Sequence, residues 1–96
     1  QPLAEEDLAA EPLLLHGEVF LRQGLAGEAL ERFEAVLRSD PESTAARDGR
    51  ARSLLELGRP EEAVAAAQAS VERGGSRAVL GRALLRAGQP DRAVAA

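Results

Sequence analysis

The sequence predicts an all-α fold of tandem antiparallel helix pairs, and three observations support this prediction. One sequence motif occurs three times, as FLRQGLAGEALERF, LLELGRPEEAVAAA and LLRAGQPDRAVAA, beginning at residues 20, 54 and 84. The apolar residues of each copy follow the 3.6-residue period of a helix, and no segment alternates with the period of a strand. Aromatic residues make up only 2% of the chain, so the core consists of Leu, Val and Ala, which suit closely packed helices.

The first helix of each predicted pair ends at a glycine. Gly24, Gly58 and Gly88 each follow an apolar stretch, as expected for a left-handed residue just after a helix. They are separated by 34 and 30 residues, so the second copy is four residues short, about one helical turn. The apolar stripes of the first helices are Leu13, Gly17, Phe20 and Leu21; Ala51, Leu54 and Leu55; and Gly81, Leu84 and Leu85.

Prolines mark the start of the second helix in the later copies. Pro60 and Pro90 stand two residues after a turn glycine and are followed by an acid, an arrangement typical of the first turn of a helix. The helix from about Pro90 is expected to leave Ala93 and Val94 without a covering helix. The second-helix stripes are Ala29, Leu30, Phe33, Val36 and Leu37, and Ala63, Val64, Ala67 and Val71.

The stretch LHGEVFLRQGLAGEALERFEAVLRSDP resembles the tetratricopeptide repeat (TPR) family. The second copy departs from that family at Ala67, where an aromatic residue is usual, and at Gly74-Gly75, where a proline is expected. Over about residues 10–96, the resemblance implies a right-handed solenoid of antiparallel helix pairs, with two full repeats and a truncated third. The matching small, aromatic, turn and proline positions of the first copy are Gly17, Phe20, Gly24, Ala29, Phe33 and Pro41.

We divide the chain into an N-terminal segment or helix stub, residues 1–9, and a TPR-like domain, residues 10–96. Gly49 falls inside the first helix of the second copy, where it either allows close packing or lets the helix fray. Gly74-Gly75 predicts a junction that is either tighter or more flexible than the first one. The repeats span about residues 10–43, 44–73 and 74–96, the last of them truncated.

Catalysis and bound cofactors are not expected. The chain contains neither Cys nor Lys, which excludes thiol chemistry and a lysine-dependent phosphate loop. No serine lies in a GxSxG motif. His16 is the only histidine, and one imidazole without clustered partners does not form a closed metal site. We therefore expect no enzyme activity, no cofactor and no metal, and we predict that His16 packs in the core.

The net charge of −4 is unevenly distributed along the chain. Residues 1–48 carry eleven acids and four Arg, whereas residues 49–96 carry five acids and eight Arg. An acidic chain without Tyr or Trp argues against nucleic-acid binding. No apolar run has the length of a membrane span, so we expect a cytoplasmic location for this fragment, with a signal or anchor on a longer parent left open. The abundance of Ala, Gly, Arg and Pro indicates a bacterial source.

The resemblance implies a function as well as a fold. In TPR proteins the first helices of successive repeats line a concave groove, which implies a non-catalytic module of a larger scaffold protein that binds a peptide or a partner protein. Arginines in that groove favour a partner with acidic segments, because guanidinium groups pair with carboxylates. The implied partner-binding residues are Glu18, Leu21, Arg22, Arg52, Leu55, Glu56, Arg82, Leu85 and Arg86.

Two alternatives to groove binding are compatible with the same residues. In the first, the charged residues among those implied to bind a partner are ordinary solvated groups, and the leucines beside them pack between helices. In the second, the chain is a structural or self-assembly element whose exposed repeat ends stack on other copies, because a helix pair cannot bury its own apolar face. The sequence does not separate these alternatives from groove binding.

Overall fold

The computed structural model describes the backbone of residues 5–88 and the side chains of residues 12–88, and this part of the chain contains five α-helices and no strand. The predicted all-α fold is thereby confirmed. The predicted helix from Pro90, with Ala93 and Val94, lies outside the described residues. The helices are α1 (Glu5–Arg22), α2 (Ala26–Ser39), α3 (Thr44–Glu56), α4 (Pro60–Val71) and α5 (Arg77–Arg86).

Each helix packs against the next one along the chain, and α3 also contacts both α1 and α5. The first helices of the pairs therefore lie side by side. Within the described residues the second helices, α2 and α4, make no comparable contact with each other. Residues 5–9, predicted as part of a separate segment or stub, are continuous with α1. The repeat boundaries and the right-handed sense of the solenoid stay predictions.

The three turn glycines have the predicted left-handed conformation. Gly24, Gly58 and Gly88 have φ angles of 79°, 75° and 79°. After α1, the backbone N–H of Leu25 donates a hydrogen bond of 2.8 Å to the carbonyl of Phe20, and the equivalent bond after α3 measures 3.0 Å. These bonds satisfy carbonyls that the end of a helix leaves without a partner. The glycine of the repeated motif thus allows the tight turn between the two helices of a pair.

The ring of Phe33 lies between two glycines on different helices. Phe33, on α2, is fully buried. A Cβ atom added to Gly17 on α1 would stand 2.7 Å from the ring atom Cζ, and one added to Gly49 on α3 would stand 2.6 Å from Cδ1. Both distances are too short for a real Cβ atom, so only glycine fits on either side. α3 is continuous through Gly49, so close packing is confirmed as the role of this residue and fraying is wrong.

The second copy fills the corresponding space in a different way. Counted from the turn glycines, Ala67 is the counterpart of Phe33, and Val79 on α5 is the counterpart of Gly49. Ala67 and Val79 are both buried in the same apolar cluster. In the first copy the large side chain is Phe33, which is on α2. At the equivalent place in the second copy the larger side chain is Val79, which is on α5. This exchange explains why an aromatic residue is not needed at position 67.

The shorter spacing from Gly58 to Gly88 is due to the two helices between these glycines. α4 has 12 residues against 14 in α2, and α5 has 10 against 13 in α3. The loop between α4 and α5 spans residues 72–76, whereas the loop between α2 and α3 spans the shorter stretch 40–43. The junction after the second copy is therefore longer than the first, not shorter.

Asp48 on α3 holds this longer junction in place. Its Oδ1 atom accepts a hydrogen bond of 2.6 Å from the hydroxyl of Ser70, and its Oδ2 atom accepts one of 3.1 Å from the backbone N–H of Ser76. A Cβ atom on Gly75 would collide with both Ser70 and Asp48. Glycine stands at the position of the family's proline because these polar groups occupy the adjacent space. The junction has more residues than the first one, but these contacts hold it, so they favour the tighter of the two predicted alternatives over the more flexible one.

We expect Gly49→Ala to destabilise the protein, although alanine has the higher helix propensity. The gain in propensity is about 1 kcal/mol. The added Cβ meets a ring that Gly17 prevents from moving away, and overpacking of this kind costs about 1 to 3 kcal/mol. With a ring held on both sides the upper end applies, so we expect a net loss of about 1 to 2 kcal/mol in the free energy of unfolding. Urea denaturation followed by circular dichroism measures it.

Gly27→Ala is the matched control for this prediction. Gly27 is exposed in the first turn of α2, and an added Cβ atom would meet nothing within 4 Å. We expect its free energy of unfolding to stay the same or to rise by up to about 1 kcal/mol. A similar gain at both positions would show that the glycines do not enclose the Phe33 ring.

Candidate functional site

Helices α1, α3 and α5 border a surface cavity of about 370 Å³. It contains seven of the nine residues that the sequence predicts to bind a partner. We call it the α1–α3–α5 cavity. Its lining residues are Glu18, Leu21 and Arg22 from α1, Arg52, Leu55 and Glu56 from α3, and Arg82 from α5. The side-by-side packing of the first helices brings these residues together, although they are spread over more than 60 positions of the chain.

The remaining two predicted residues, Leu85 and Arg86, do not line the cavity. Both are exposed, and 58% of the surface of Leu85 is accessible to solvent. The leucines at the equivalent positions differ, since Leu21 is half-buried and Leu55 is buried. The three equivalent leucines are therefore exposed to different extents and do not form a uniform apolar surface.

Glu18 and Arg52 form an ion pair across the cavity. One guanidinium nitrogen of Arg52, Nη1, donates a hydrogen bond of 3.3 Å to Oε2 of Glu18, and Nη2 bonds to Oε1. The pair is bidentate, and about a third of each side chain is exposed. Arg52 already has a carboxylate partner within the chain, unlike the free cation assumed in the prediction of an acidic ligand.

The two other arginines of the cavity are differently placed. Arg22 and Arg82 are exposed, and neither forms an ion pair with another residue in the part of the chain that the structure describes. Glu56 is also exposed beside them. The cavity thus combines an internally paired centre with two solvated arginines and the half-buried side chain of Leu21.

A second cavity, of about 470 Å³, lies between the second helices, and the sequence did not lead us to it. We call it the α2–α4 cavity. The signal in the sequence is that α4 has Ala65 and Ala66 where α2 has Glu31 and Arg32. Side chains of that length are therefore missing from these two positions of α4. The lining residues are Leu37, Pro41, Arg47, Arg50, Glu62, Ala65, Ala66 and Ala69.

The acidic residue of the α2–α4 cavity is already neutralised. Arg59 donates hydrogen bonds of 2.9 Å and 2.6 Å to the two carboxylate oxygens of Glu62. These bonds hold the pKa of the Glu62 carboxyl below its usual range. Nε of Arg50, another lining residue, donates a longer hydrogen bond of 3.3 Å to Oε2 of Glu34 on α2 and forms an ion pair with it. Glu62 therefore stays ionised and paired, and contributes little net negative charge to the cavity.

A comparison with protein families decides the classification. Residues 14–78, more than half of the chain, match the family model described as tetratricopeptide repeat. The chain belongs to the tetratricopeptide repeat family. TPR domains typically act as non-catalytic modules that bind proteins or peptides, which agrees with the coarse function implied by the repeat. None of the curated proteins compared with this TPR chain matches it significantly.

His16 does not occupy the position predicted for it. It is exposed on α1, so the expectation of a packed core histidine is wrong. Gly17 is the residue that faces Phe33, and successive residues of a helix point about 100° apart, which turns His16 towards solvent. Among residues 12–88, no three His, Asp or Glu side chains form a group that could hold a metal ion. Within residues 5–88, every helix is too short or too polar to cross a membrane.

We expect Glu18 and Arg52 to be energetically coupled. A double-mutant cycle with Glu18→Gln and Arg52→Gln should give a coupling close to 1 kcal/mol, the upper end for a partly exposed pair, because the contact is bidentate. The coupling should fall in 1 M NaCl because salt screens partly exposed charges. Chemical denaturation of the four proteins measures it. The same cycle with Arg82→Gln in place of Arg52→Gln is the control and should show none; equal coupling in both cycles would contradict the pairing.

Proposed function

We propose that this TPR chain is a non-catalytic interaction module of a larger scaffold protein, and that it binds a peptide or a segment of a partner protein in the α1–α3–α5 cavity. The supporting observation is that side-by-side packing of α1, α3 and α5 collects seven of the nine predicted binding residues around one cavity. Leu85 and Arg86, just beyond it on α5, extend the proposed surface. A cytoplasmic location and a bacterial source stay predictions from the sequence.

The charges of the cavity favour a partner with acidic segments. Arg52 is held by Glu18, so it fixes the shape of the cavity and offers less of its charge to a ligand. Arg22 and Arg82, which are exposed, are the proposed cations for a ligand carboxylate. Arg22 lies on α1 and Arg82 lies on α5, with α3 between them. A bound segment therefore has to cross α3 to reach both arginines. The proposed ligand is therefore extended and carries acids near both of its ends.

Charge reversal at Arg22 and Arg82 tests this proposal. Acidic peptides selected from a random library for binding to the chain serve as ligands, and fluorescence anisotropy gives Kd. We expect Arg22→Glu with Arg82→Glu to weaken binding at least about tenfold, because each lost charge-assisted contact is worth about 1.5 kcal/mol or more. The loss should be greater at low salt, where charges are screened less.

The control is a second pair of arginines that changes the net charge by the same amount. Arg38 and Arg77 are exposed and lie outside the cavity. Arg38→Glu with Arg77→Glu should leave Kd within about twofold of the parent value, since salt screens the interaction of a ligand with exposed charges distant from it. Equal weakening by both pairs would mean that only the total charge matters, and unchanged Kd in both would move the binding surface elsewhere.

Self-assembly is the alternative, and exposed apolar residues of α1 favour it. Leu15 and Val19 are 63% and 38% exposed. Their counterparts 34 residues later are Gly49 and Ser53, both buried under α2. The first helix therefore presents a face of the kind that is covered elsewhere in the fold. In this alternative, the face stacks on the corresponding surface of another copy.

Sedimentation equilibrium distinguishes self-assembly from groove binding. If the Leu15 face stacks, the apparent mass of the chain should rise between about 10 and 500 μM, the range over which contacts of low affinity form. Leu15→Glu with Val19→Glu should then restore the monomer mass, because stacking would bury unpaired charges. Arg22→Glu with Arg82→Glu should not. A parent chain that stays monomeric over the whole range rules this alternative out.

A further inference from the structure

The α2–α4 cavity follows from the way the helices pack. The first helices contact each other in sequence, whereas α2 and α4 stand apart over α3. The space between them is therefore bordered on both sides by helices and below by side chains of α3. Its volume of about 470 Å³ falls in the range of ordinary ligand sites, roughly 300 to 1,000 Å³.

Two arginines of α3 present charge to this cavity. Nε of Arg47 donates a hydrogen bond of 2.9 Å to the carbonyl of Pro41, which fixes the guanidinium at the cavity wall. Its terminal nitrogens make no ion pair or hydrogen bond with another described residue. Arg50 forms an ion pair with Glu34 through Nε, so it offers less charge than Arg47, and its terminal nitrogens have no partner among the described residues. Both side chains are half-buried, which orders them better than free surface arginines.

The acids and the apolar residues around these arginines narrow the ligand chemistry. Glu62 is paired with Arg59 through both oxygens, so it does not neutralise Arg47. Leu37 and Ala69 are half-buried and Ala66 is buried, so the lining beside the arginines is apolar. A ligand that complements both parts carries a carboxylate next to an aliphatic side chain. Such a ligand gains bidentate arginine contacts and covers apolar surface at the same time.

The second helix of the first copy carries longer side chains at the equivalent positions. At the positions of Ala65 and Ala66, α2 carries Glu31 and Arg32. The guanidinium of Arg32 lies over the ring of Phe20, 5.4 Å from its centre, so a long side chain there covers apolar surface of the preceding helix. At these two positions α4 has only alanine. No arginine of α4 therefore covers the adjacent surface of α3 from positions 65 and 66.

We propose that the α2–α4 cavity is a second docking site, which takes an acidic segment of a partner protein bearing a leucine-type side chain next to a carboxylate. The carboxylate lies between Arg47 and Arg50, and the aliphatic side chain lies against Leu37 and Ala69. This site is separate from the α1–α3–α5 cavity, because the two share no lining residue. The two sites bind independently, and a scaffold with both holds two segments at once.

The test uses the probe acetyl-Leu-Glu-Glu-Leu-amide, with acetyl-Leu-Gln-Gln-Leu-amide as the uncharged control. Titration into the ¹⁵N-labelled chain should shift the amides of Arg47, Ala65 and Ala69. Arg47→Gln should weaken this binding about tenfold, as expected from one charge-assisted contact. Ala65→Glu should weaken it at least as much, since it places in α4 the acid that α2 has as Glu31 and so competes for the arginines. The uncharged peptide should bind about tenfold more weakly.

Control variants separate this proposal from the one for the α1–α3–α5 cavity. Arg38→Gln, an exposed arginine outside both cavities, should leave the shifts unchanged. Arg22→Glu with Arg82→Glu should also leave them unchanged, even if it abolishes binding at the other site. Shifts confined to the amides of Arg52, Leu55 and Arg82 would overturn the second site. No shift at millimolar peptide, or equal shifts with both peptides, would overturn it as well.

Discussion

The enclosure of the Phe33 ring by Gly17 and Gly49 is the contact on which the rest of the described structure depends. One aromatic side chain of α2 touches the backbone of both α1 and α3, so it sets the spacing of three helices at once. That spacing lets α1 and α3 lie side by side, and the side-by-side packing places Glu18 next to Arg52. The chain has only two aromatic residues, and one of them lies where it contacts both neighbouring helices.

The two junctions between successive pairs use opposite chemistry for the same purpose. At a spacing of 34 residues, the positions of Asp48 and Ser70 correspond to Leu14 and Val36, which pack in the apolar cluster of the first pair. An apolar contact tolerates small displacements, whereas hydrogen bonds to a carboxylate require a particular geometry. The geometry of the second junction is thus fixed by the directions of the Asp48 hydrogen bonds. Gly75 has no side chain and so leaves room for the groups that form them.

Much of the fold was predictable because repetition supplies its own evidence. The turn glycines and the helix pairs follow from a motif that occurs three times, and the register of the TPR resemblance implied seven residues that line the α1–α3–α5 cavity. His16 was misplaced because periodicity fixes a face only to within about one residue, and Gly17 at the next position took the inward direction. The Glu18 and Arg52 pair and the α2–α4 cavity were not predicted, because both depend on distances between helices that a one-dimensional pattern does not contain.

The separation of α2 from α4 has a mechanical consequence. When a row of helices is in contact on one side and open on the other, bending changes the open side most, because the contacting side acts as the hinge. A molecule seated between α2 and α4 would then act as a wedge that sets the curvature of the row. Curvature and occupancy are linked reciprocally, so a pull on the ends of the array would alter the affinity of the wedge, and the wedge would alter the stiffness of the array.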